Sequence, residues 1–487
     1  MLPSTWRYKR FHVSYLFTWL AFGVLVGLLL GQWRVLNMGA ILFLPALAAL
    51  VGAFRSRRWT ACAVVVVAGC VLGLFRGVNY EKQLSQLDSF VGQVVAIESV
   101  ISQDPVLQNG SDTWQVQLNQ LRIRGQTYTG EAYATVITET ALRRGDKVTL
   151  EAKAGAGFGN FRLSFYRATV TNFQRPQNVF LEFRDAFAVA VRRVMPEPEA
   201  SLGLGFIVGQ KSALPADLVE QLKVVGLTHI VVASGYNLTI LVRFARRVLA
   251  RKSRYLALVG SVALVTAFIL ISGLSPSMNR AAIVTALSLL AWYYGRQFHP
   301  VQLILYVASV SAFIYPVYLW SDLGWLLSFA AFVGVLVVSP IVMQVAMPRR
   351  KDDTPATVQL VVETLAAEAM TLPIIMVYFG YIPVFALLAN ILVAPVIPFA
   401  MAATFVAGLA GFLSPMFAIF AAFAAPASIV IAYVLAVVER LSSVSWAQVT
   451  FTAAPLAAVV WYGLLGAWLF LFWKSHRVDL RASSVVE

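Results

Sequence analysis

The chain has 487 residues, of which 59% are hydrophobic and 13% charged. A soluble domain averages about 45–50% apolar and about 25% charged residues, so this composition excludes a water-soluble multidomain enzyme and a disordered chain, and points to membrane-embedded helices. The net charge of +15 suits either cytoplasmic loops that collect Lys and Arg or a polyanionic partner.

Arg7, Lys9 and Arg10 precede the apolar run Tyr15–Gly31, and two more runs follow at Leu36–Phe54 and Ala61–Phe75. Three runs in succession read as a retained first span rather than a cleaved leader, so residues 1–78 form three transmembrane helices. The basic link Arg55-Ser56-Arg57-Arg58 shares the cytoplasmic side with the N-terminus, which places the chain after Arg76 outside.

Residues 90–175 differ in kind. Short alternating or β-branched segments, Gln93–Ile101, Trp114–Ile123, Glu131–Thr138, Lys147–Ala152 and Arg162–Thr171, are parted by turn-rich pieces such as Asn109-Gly110-Ser111-Asp112, Arg144-Gly145-Asp146 and Gly155–Asn160. Five such strands predict a small antiparallel barrel of OB type, inserted on the outer side between spans.

Residues 178–196 are amphipathic. Phe180, Phe183, Phe187, Val191 and Val194 recur at helical spacing, with Arg184, Asp185, Arg192 and Arg193 elsewhere, a pattern that suits a helix lying in the membrane interface. Leu222–Val242 is apolar but broken by Gly226, His229, Ser234, Gly235 and Asn237, and behind it lies the most basic stretch: Arg243, Arg246, Arg247, Arg251, Lys252 and Arg254. With that stretch inside, the chain must cross once between Val194 and Arg243, and the broken segment is the crossing. Eight more apolar runs follow, Leu256–Ser272, Ala281–Tyr294, Val301–Tyr318, Leu323–Met347, Val358–Phe379, Val384–Leu409, Phe412–Val438 and Ala453–Trp473. The fold expected is thus a polytopic α-helical membrane protein of about 12 spans carrying the inserted barrel. Both termini are cytoplasmic, with residues 475–487 as a tail.

Charged groups at mid-bilayer cost about 2.5–3.5 kcal/mol on insertion scales, so polar side chains there are functional candidates. These are His229, Ser234, Asn237, Asn279, Arg280, Asp322, Ser328, Glu363, Glu368 and Asn390. Asp322 stands before an apolar run and suits an N-cap equally. Arg280 suits a snorkelling interfacial position, and Glu363 and Glu368, five apart, face different ways. The cluster from His229 to Asn237 stands out, because irregular backbone at that depth survives only against protein or a water-filled cavity. Cys62 and Cys70 lie in one apolar run and the four histidines are scattered, so no metal, cofactor or catalytic site is expected. Without a phosphate-binding Gly-x-x-x-x-Gly-Lys-Ser/Thr loop, the chain reads as a non-enzyme.

Four pieces of sequence then occur in a fixed order. Gly203–Val242 runs from Gly-Leu-Gly-Phe-Ile-Val-Gly-Gln-Lys-Ser-Ala-Leu-Pro to Gly-Leu-Thr-His-Ile-Val-Val-Ala-Ser-Gly-Tyr-Asn. Pro276–Gly295 contains Arg280-Ala281-Ala282, Trp320–Gly334 contains Leu327-Ser328-Phe329, and Thr371–Pro395 contains Leu372-Pro373, Tyr378-Phe379-Gly380 and Leu388-Ala389-Asn390. The set resembles the competence domain of the ComEC family, here residues 200–474. The resemblance implies an inner-membrane channel that translocates single-stranded DNA during natural transformation. The family motif ends Ser-Gly-Leu-His where this chain has Ser234-Gly235-Tyr236-Asn237; an asparagine there can still hydrogen-bond. Many members also carry a metallo-β-lactamase-like domain with a His-x-His-x-Asp-His cluster. None occurs in this sequence, so a short form without its own nuclease site is expected. The implied partners are single-stranded DNA, membrane lipid, a DNA receptor, a cytoplasmic translocation motor and a separate nuclease. The competing reading is a transporter of another anionic polymer or a nucleotide, with an extracytoplasmic binding module.

On the DNA reading, the barrel grips the strand by stacking bases on aromatics beside basic side chains. Trp114, Tyr128, Tyr133, Phe158, Phe161, Phe165 and Tyr166 are the aromatics; Arg122, Arg124, Lys147, Lys153, Arg162 and Arg167 head the basic set. The alternative for the aromatics is the barrel core.

Overall fold

The apolar runs of the sequence become helices and its alternating segments become strands. The computed structural model describes residues 12–33, 43–56, 59–108, 112–210, 214–231, 235–273, 275–296, 299–346 and 355–476. Helices α1 (Val13–Gln32), α2 (Phe43–Ser56) and α3 (Trp59–Ser85) come first. Strands follow: β1 (Val94–Ile101), β2 (Val106–Leu107), β3 (Thr113–Ile123), β4 (Gln126–Thr127), β5 (Glu131–Ile137), β6 (Lys147–Ala156) and β7 (Phe161–Gln174). Next are α4 (Val179–Val194), α5 (Glu199–Val208), α6 (Ala216–Val224), α7 (Thr228–Val231), α8 (Gly235–Leu249), α9 (Arg254–Ser272) and α10 (Pro276–Tyr293). The chain continues through α11 (Pro300–Ile314), α12 (Val317–Ser321), α13 (Leu323–Val333), α14 (Ser339–Ala346) and α15 (Ala356–Tyr378). It ends with β8 (Tyr381–Pro383), α16 (Ala386–Val393), α17 (Ile397–Leu413), α18 (Ala425–Ser442), β9 (Gln448–Thr450) and α19 (Pro455–His476).

Among the described residues, eight helices are long and apolar enough to cross a bilayer. The four remaining expected crossings correspond to α2 with 14 residues, α10 with 18, α11 with 15 and the broken series α5 to α8. The chain divides into one unit of Met1–Pro176 with Gln302–Leu326 and another of Gln177–Val301 with Leu327–Glu487.

In the first unit, glycines decide how α1 and α3 meet. Gly23, Gly27 and Gly31 recur every fourth residue on α1, and Gly69, Gly73 and Gly77 do so on α3. A Cβ added at Gly27 would lie 2.0 Å from the Cys70 carbonyl oxygen, and one at Gly73 would lie 2.2 Å from that of Val24. The two backbones are therefore in direct contact, as small residues allow where lipid removes any hydrophobic gain between helices. Polar groups bind α11 and α12 to this pair. The Tyr306 hydroxyl donates to Ser14 O (2.8 Å) and the Trp320 indole to Leu28 O (3.0 Å). The Arg76 guanidinium donates to Phe313 O (3.1 Å) and Ile314 O (2.9 Å), filling the orphan carbonyls at the C-terminus of α11.

The barrel closes through β1–β3–β5–β7–β6–β1. The β5–β7 pair is parallel and the others are antiparallel, which corrects the fully antiparallel expectation. The reason is parity, since a closed ring of five strands cannot alternate direction all the way round. Alternation places Val95, Ile97 and Ile101 of β1 inside. On β3 the inward positions change parity, from Val116 and Leu118 to Leu121 and Ile123. Gln120, with φ 52°, is the extra residue of a bulge that makes the change. Leu87 and Phe90, from the 3₁₀ turn Gln86–Phe90, plug the core. Each fully buried Leu or Ile contributes about 1.5–3 kcal/mol.

In the second unit, Asn178 caps α4 by accepting from the Phe180 and Leu181 N–H groups. The ring of Phe187 fills the space that a Cβ at Gly408 would need, 2.2 Å away, so α4 packs on α17. Arg184, expected on the polar face, is 3% exposed and donates to Asp185 at 3.1 Å. Between α13 and α14, Gly334–Val338 forms a π-helical turn. Pro340 follows and has no N–H to return to the Leu336 carbonyl.

Candidate functional site

The segment expected to cross as one span is a series of short helices in the second unit. α5 ends at Gly209, whose φ of 71° is the left-handed conformation of a helix stop. After α6, Gly226 has φ 77°, and a Cβ there would lie 2.9 Å from the Ala386 Cβ. The turn thus presses on the start of α16, where only glycine fits. His229 is exposed, with Nδ1 3.1 Å from Gly226 O.

At the start of α8, a Cβ on Gly235 would meet the Ala281 Cβ at 3.1 Å. That contact brings α8 against α10 next to Arg280, whose bulky side chain is 2% exposed. Asn237 is fully buried and donates from Nδ2 to Phe206 O at 3.0 Å. Phe206 lies in the last turn of α5, where carbonyls lack helical partners, so one asparagine joins two broken helices. Its Oδ1 has no hydrogen-bond partner among the described residues.

A second break meets the first. Pro398 cannot supply an N–H to Ala394 O, which accepts instead the tighter bond from Ile397 N and the Tyr236 hydroxyl at 3.1 Å. One turn earlier on α16, Asn390 is 8% exposed, its Nδ2 3.5 Å from Glu368 Oε1 on α15. Glu363 accepts from Gln359 Nε2 at 2.7 Å.

The structure therefore links Asn237 to α5, sets Arg280 beside the start of α8, and joins Asn390 to Glu368. Asn279 and Ser328 are half-buried on α10 and α13, and Ser234 lies outside the described residues. Asp322 goes elsewhere. It caps α13 through Trp325 N–H (2.7 Å) and accepts from Asn160 Nδ2 (2.8 Å) within the first unit. Sequence reasoning passed over Tyr236 and the Ala394 carbonyl. The visible signal was Pro395-x-x-Pro398 inside an apolar run.

On the barrel, most of the expected grip is already engaged. Arg122 pairs with Glu98 at 3.4 Å. Arg162 donates from Nε to Asp88 at 2.7 Å and from Nη2 to Glu81 at 3.3 Å. The Trp114 indole donates to Thr138 O at 3.2 Å, and Tyr128 packs edge-on against Phe90 at 5.3 Å. Arg124 sits in the two-residue turn between β3 and β4, with φ 52°, and donates to Gln93. Lys147, Lys153 and Arg167 are exposed. Phe165 belongs to the core, whereas Tyr133, Phe158 and Phe161 form a partly exposed trio with ring centres 5.2–5.8 Å apart. At the barrel's edge, burial, and then the nearby Asp322, push the Glu131 carboxyl above the ordinary range.

The sequence model of the family described as Competence protein matches residues 206–476, more than half of the chain. No curated protein and no solved structure matches.

Proposed function

The chain belongs to the Competence protein family, and on that premise we propose that it is the channel through which single-stranded DNA crosses the cytoplasmic membrane in natural transformation. A bare phosphate in lipid is prohibitive, so the strand needs a hydrated path lined with donors. The observation that carries this reading is the meeting of two broken helical passages, through Tyr236 and Ala394 O. Broken helices at membrane depth line cavities or are buried in protein, and half-helix ends are where transporters bind charged cargo.

In this mechanism Arg280 pairs with a passing phosphate, and Asn237 and Asn390 present amides. His229, Ser234, Asn279, Ser328, Glu363 and Glu368 complete the lining. Asp322, with both oxygens engaged, is left to the barrel junction. The strand order of the barrel, with its single parallel pair, supports the OB reading. It holds the strand outside through Lys147, Lys153, Arg167 and Arg124, with bases on Tyr133, Phe158 and Phe161. Both termini lie in the cytoplasm, where a motor and a separate nuclease act on the emerging strand.

The test is uptake of a labelled single-stranded oligonucleotide into proteoliposomes. Asn237→Leu and Arg280→Gln should each lower the rate at least tenfold in protein that elutes as the unsubstituted chain does. Unchanged rates in both remove the path. Equal passage of free nucleotides or of another polyanion would favour the general anion transporter.

A further inference from the structure

Between Gln221 and Ser321 the sequence contains no Asp or Glu but nine Lys or Arg. Three of these, Arg243, Arg246 and Arg247, stand at i, i+3 and i+4 on α8, so their side chains share one face. With Ala250 and Trp292 of α10 they line a groove of about 290 Å³. The Arg246 guanidinium lies over the Trp292 ring, 4.4 Å from its centre, a cation–π contact that holds one planar fork as a wall of the groove. Among the described residues neither Arg243 nor Arg247 makes an ion pair. Like charges at this spacing repel and destabilise a helix. This stretch of sequence brings no carboxylate of its own to offset them, and a bound polyanion relieves that repulsion. Arginine forks bind phosphate oxygens two at a time, and a ring beside them offers a stacking surface.

The position of the groove matters as much as its charge. α8 starts with Tyr236 and Asn237, at the junction of the two broken passages, and reaches Arg247 ten residues later, about 15 Å along the axis. One rigid helix thus has buried amide chemistry at one end and an arginine groove at the other.

We propose that this groove is a phosphodiester-binding site that receives the single strand as it leaves the path beside Asn237. The proposal rests on the channel reading above. It assigns a second grip on the nucleic acid, separate from the barrel, which would hold a translocated segment against backsliding.

The experiment uses the full chain in nanodiscs of zwitterionic lipid. Binding of a labelled single-stranded oligonucleotide is followed by anisotropy over a range of salt concentrations. Photocrosslinking from a 4-thiothymidine in the oligonucleotide identifies the peptides it touches. Each phosphate contact on a single strand contributes about 0.7 to the slope of log affinity against log salt. The Arg243→Gln/Arg247→Gln variant should therefore show a slope shallower by about 1.4, and lose crosslinks to the peptides carrying residues 243–254 and Trp292. Trp292→Leu should weaken binding several-fold and keep most of the slope. An unchanged slope, or crosslinks confined to residues 90–175, overturns the groove. If the arginine variant retains less phosphatidylglycerol when that lipid is supplied but binds the oligonucleotide normally, the groove serves lipid headgroups and the proposal is overturned. Normal liposome uptake beside any of these results leaves the channel reading standing. An unsubstituted chain that neither binds nor admits the oligonucleotide removes both.

Discussion

The α1–α3 pair and the junction of α8 with α16 and α17 solve the same problem in opposite ways. In each, helices of a membrane protein associate where lipid offers no hydrophobic gain. α1 and α3 are continuous, shed their side chains at six glycines and touch backbone to backbone. The α5–α8 series and the α16–α17 passage are interrupted; Tyr236 of α8 joins them through Ala394 O, and Asn237 of α8 holds Phe206 O of α5. The first arrangement leaves no room for a side chain between the backbones. The second keeps polar atoms buried, including the Asn237 Oδ1, which has no hydrogen-bond partner among the described residues. Close backbone contact comes from removing atoms, and side-chain-to-carbonyl links come from breaking the backbone.

The comparison breaks most readily at α1. Gly27→Leu would drive carbon into the Cys70 carbonyl, and overpacking of this kind costs about 3 kcal/mol. A markedly lower melting temperature of the purified full chain is expected. Gly52→Leu, where nothing lies within 4 Å of the added Cβ, should melt as the unsubstituted protein does. Equal melting of the two would mean that the glycine contact does not hold the pair.

Asn237→Leu leaves the Phe206 carbonyl buried and without its side-chain donor, at a cost of about 1–3 kcal/mol. It should abolish DNA uptake at a temperature where the variant is still folded. Tyr236→Phe is milder, about 1 kcal/mol, because Ala394 O keeps its bond from Ile397. Comparing uptake with melting for the two variants separates a lining role from simple support.

Glu131 sharpens the contrast by pH. Its folded-state pKa is raised by burial and by Asp322, so the folded chain holds the proton more tightly than the unfolded one. Stability from this group is present below the ordinary Glu value and is lost as pH rises through the raised folded value. Glu131→Gln should therefore melt higher than the unsubstituted chain at pH 7, with the advantage vanishing below about pH 4.3. An advantage independent of pH would contradict a buried ionisation.

The smallest effect is expected at Arg162. Its pairs with Asp88 and Glu81 are partly exposed, and such pairs are worth below about 1 kcal/mol. Arg162→Gln should shift melting only slightly, and less still in high salt.

Much of this was legible in the residues. The five expected strand segments begin within one residue of β1, β3, β5, β6 and β7, because alternation and turn chemistry are local. The apolar runs after Leu256 became helices for the same reason. The β3 bulge at Gln120 and the parallel β5–β7 pair were not legible. Both follow from closing a ring, which no single segment reports. Asp322 shows the same limit, since an acidic residue before an apolar run reads equally as a cap or a lining group. It is a cap because Asn160, far away in the chain, completes its second oxygen.

The sequence by itself determined what each segment is, helix or strand, since length, periodicity and turn residues act over a few neighbours. Only the tertiary structure decided which orphan carbonyl meets which side chain. Ala394 and Tyr236 are 158 residues apart, and hydrogen bonds at that separation depend on where the chain returns in space, which periodicity does not encode.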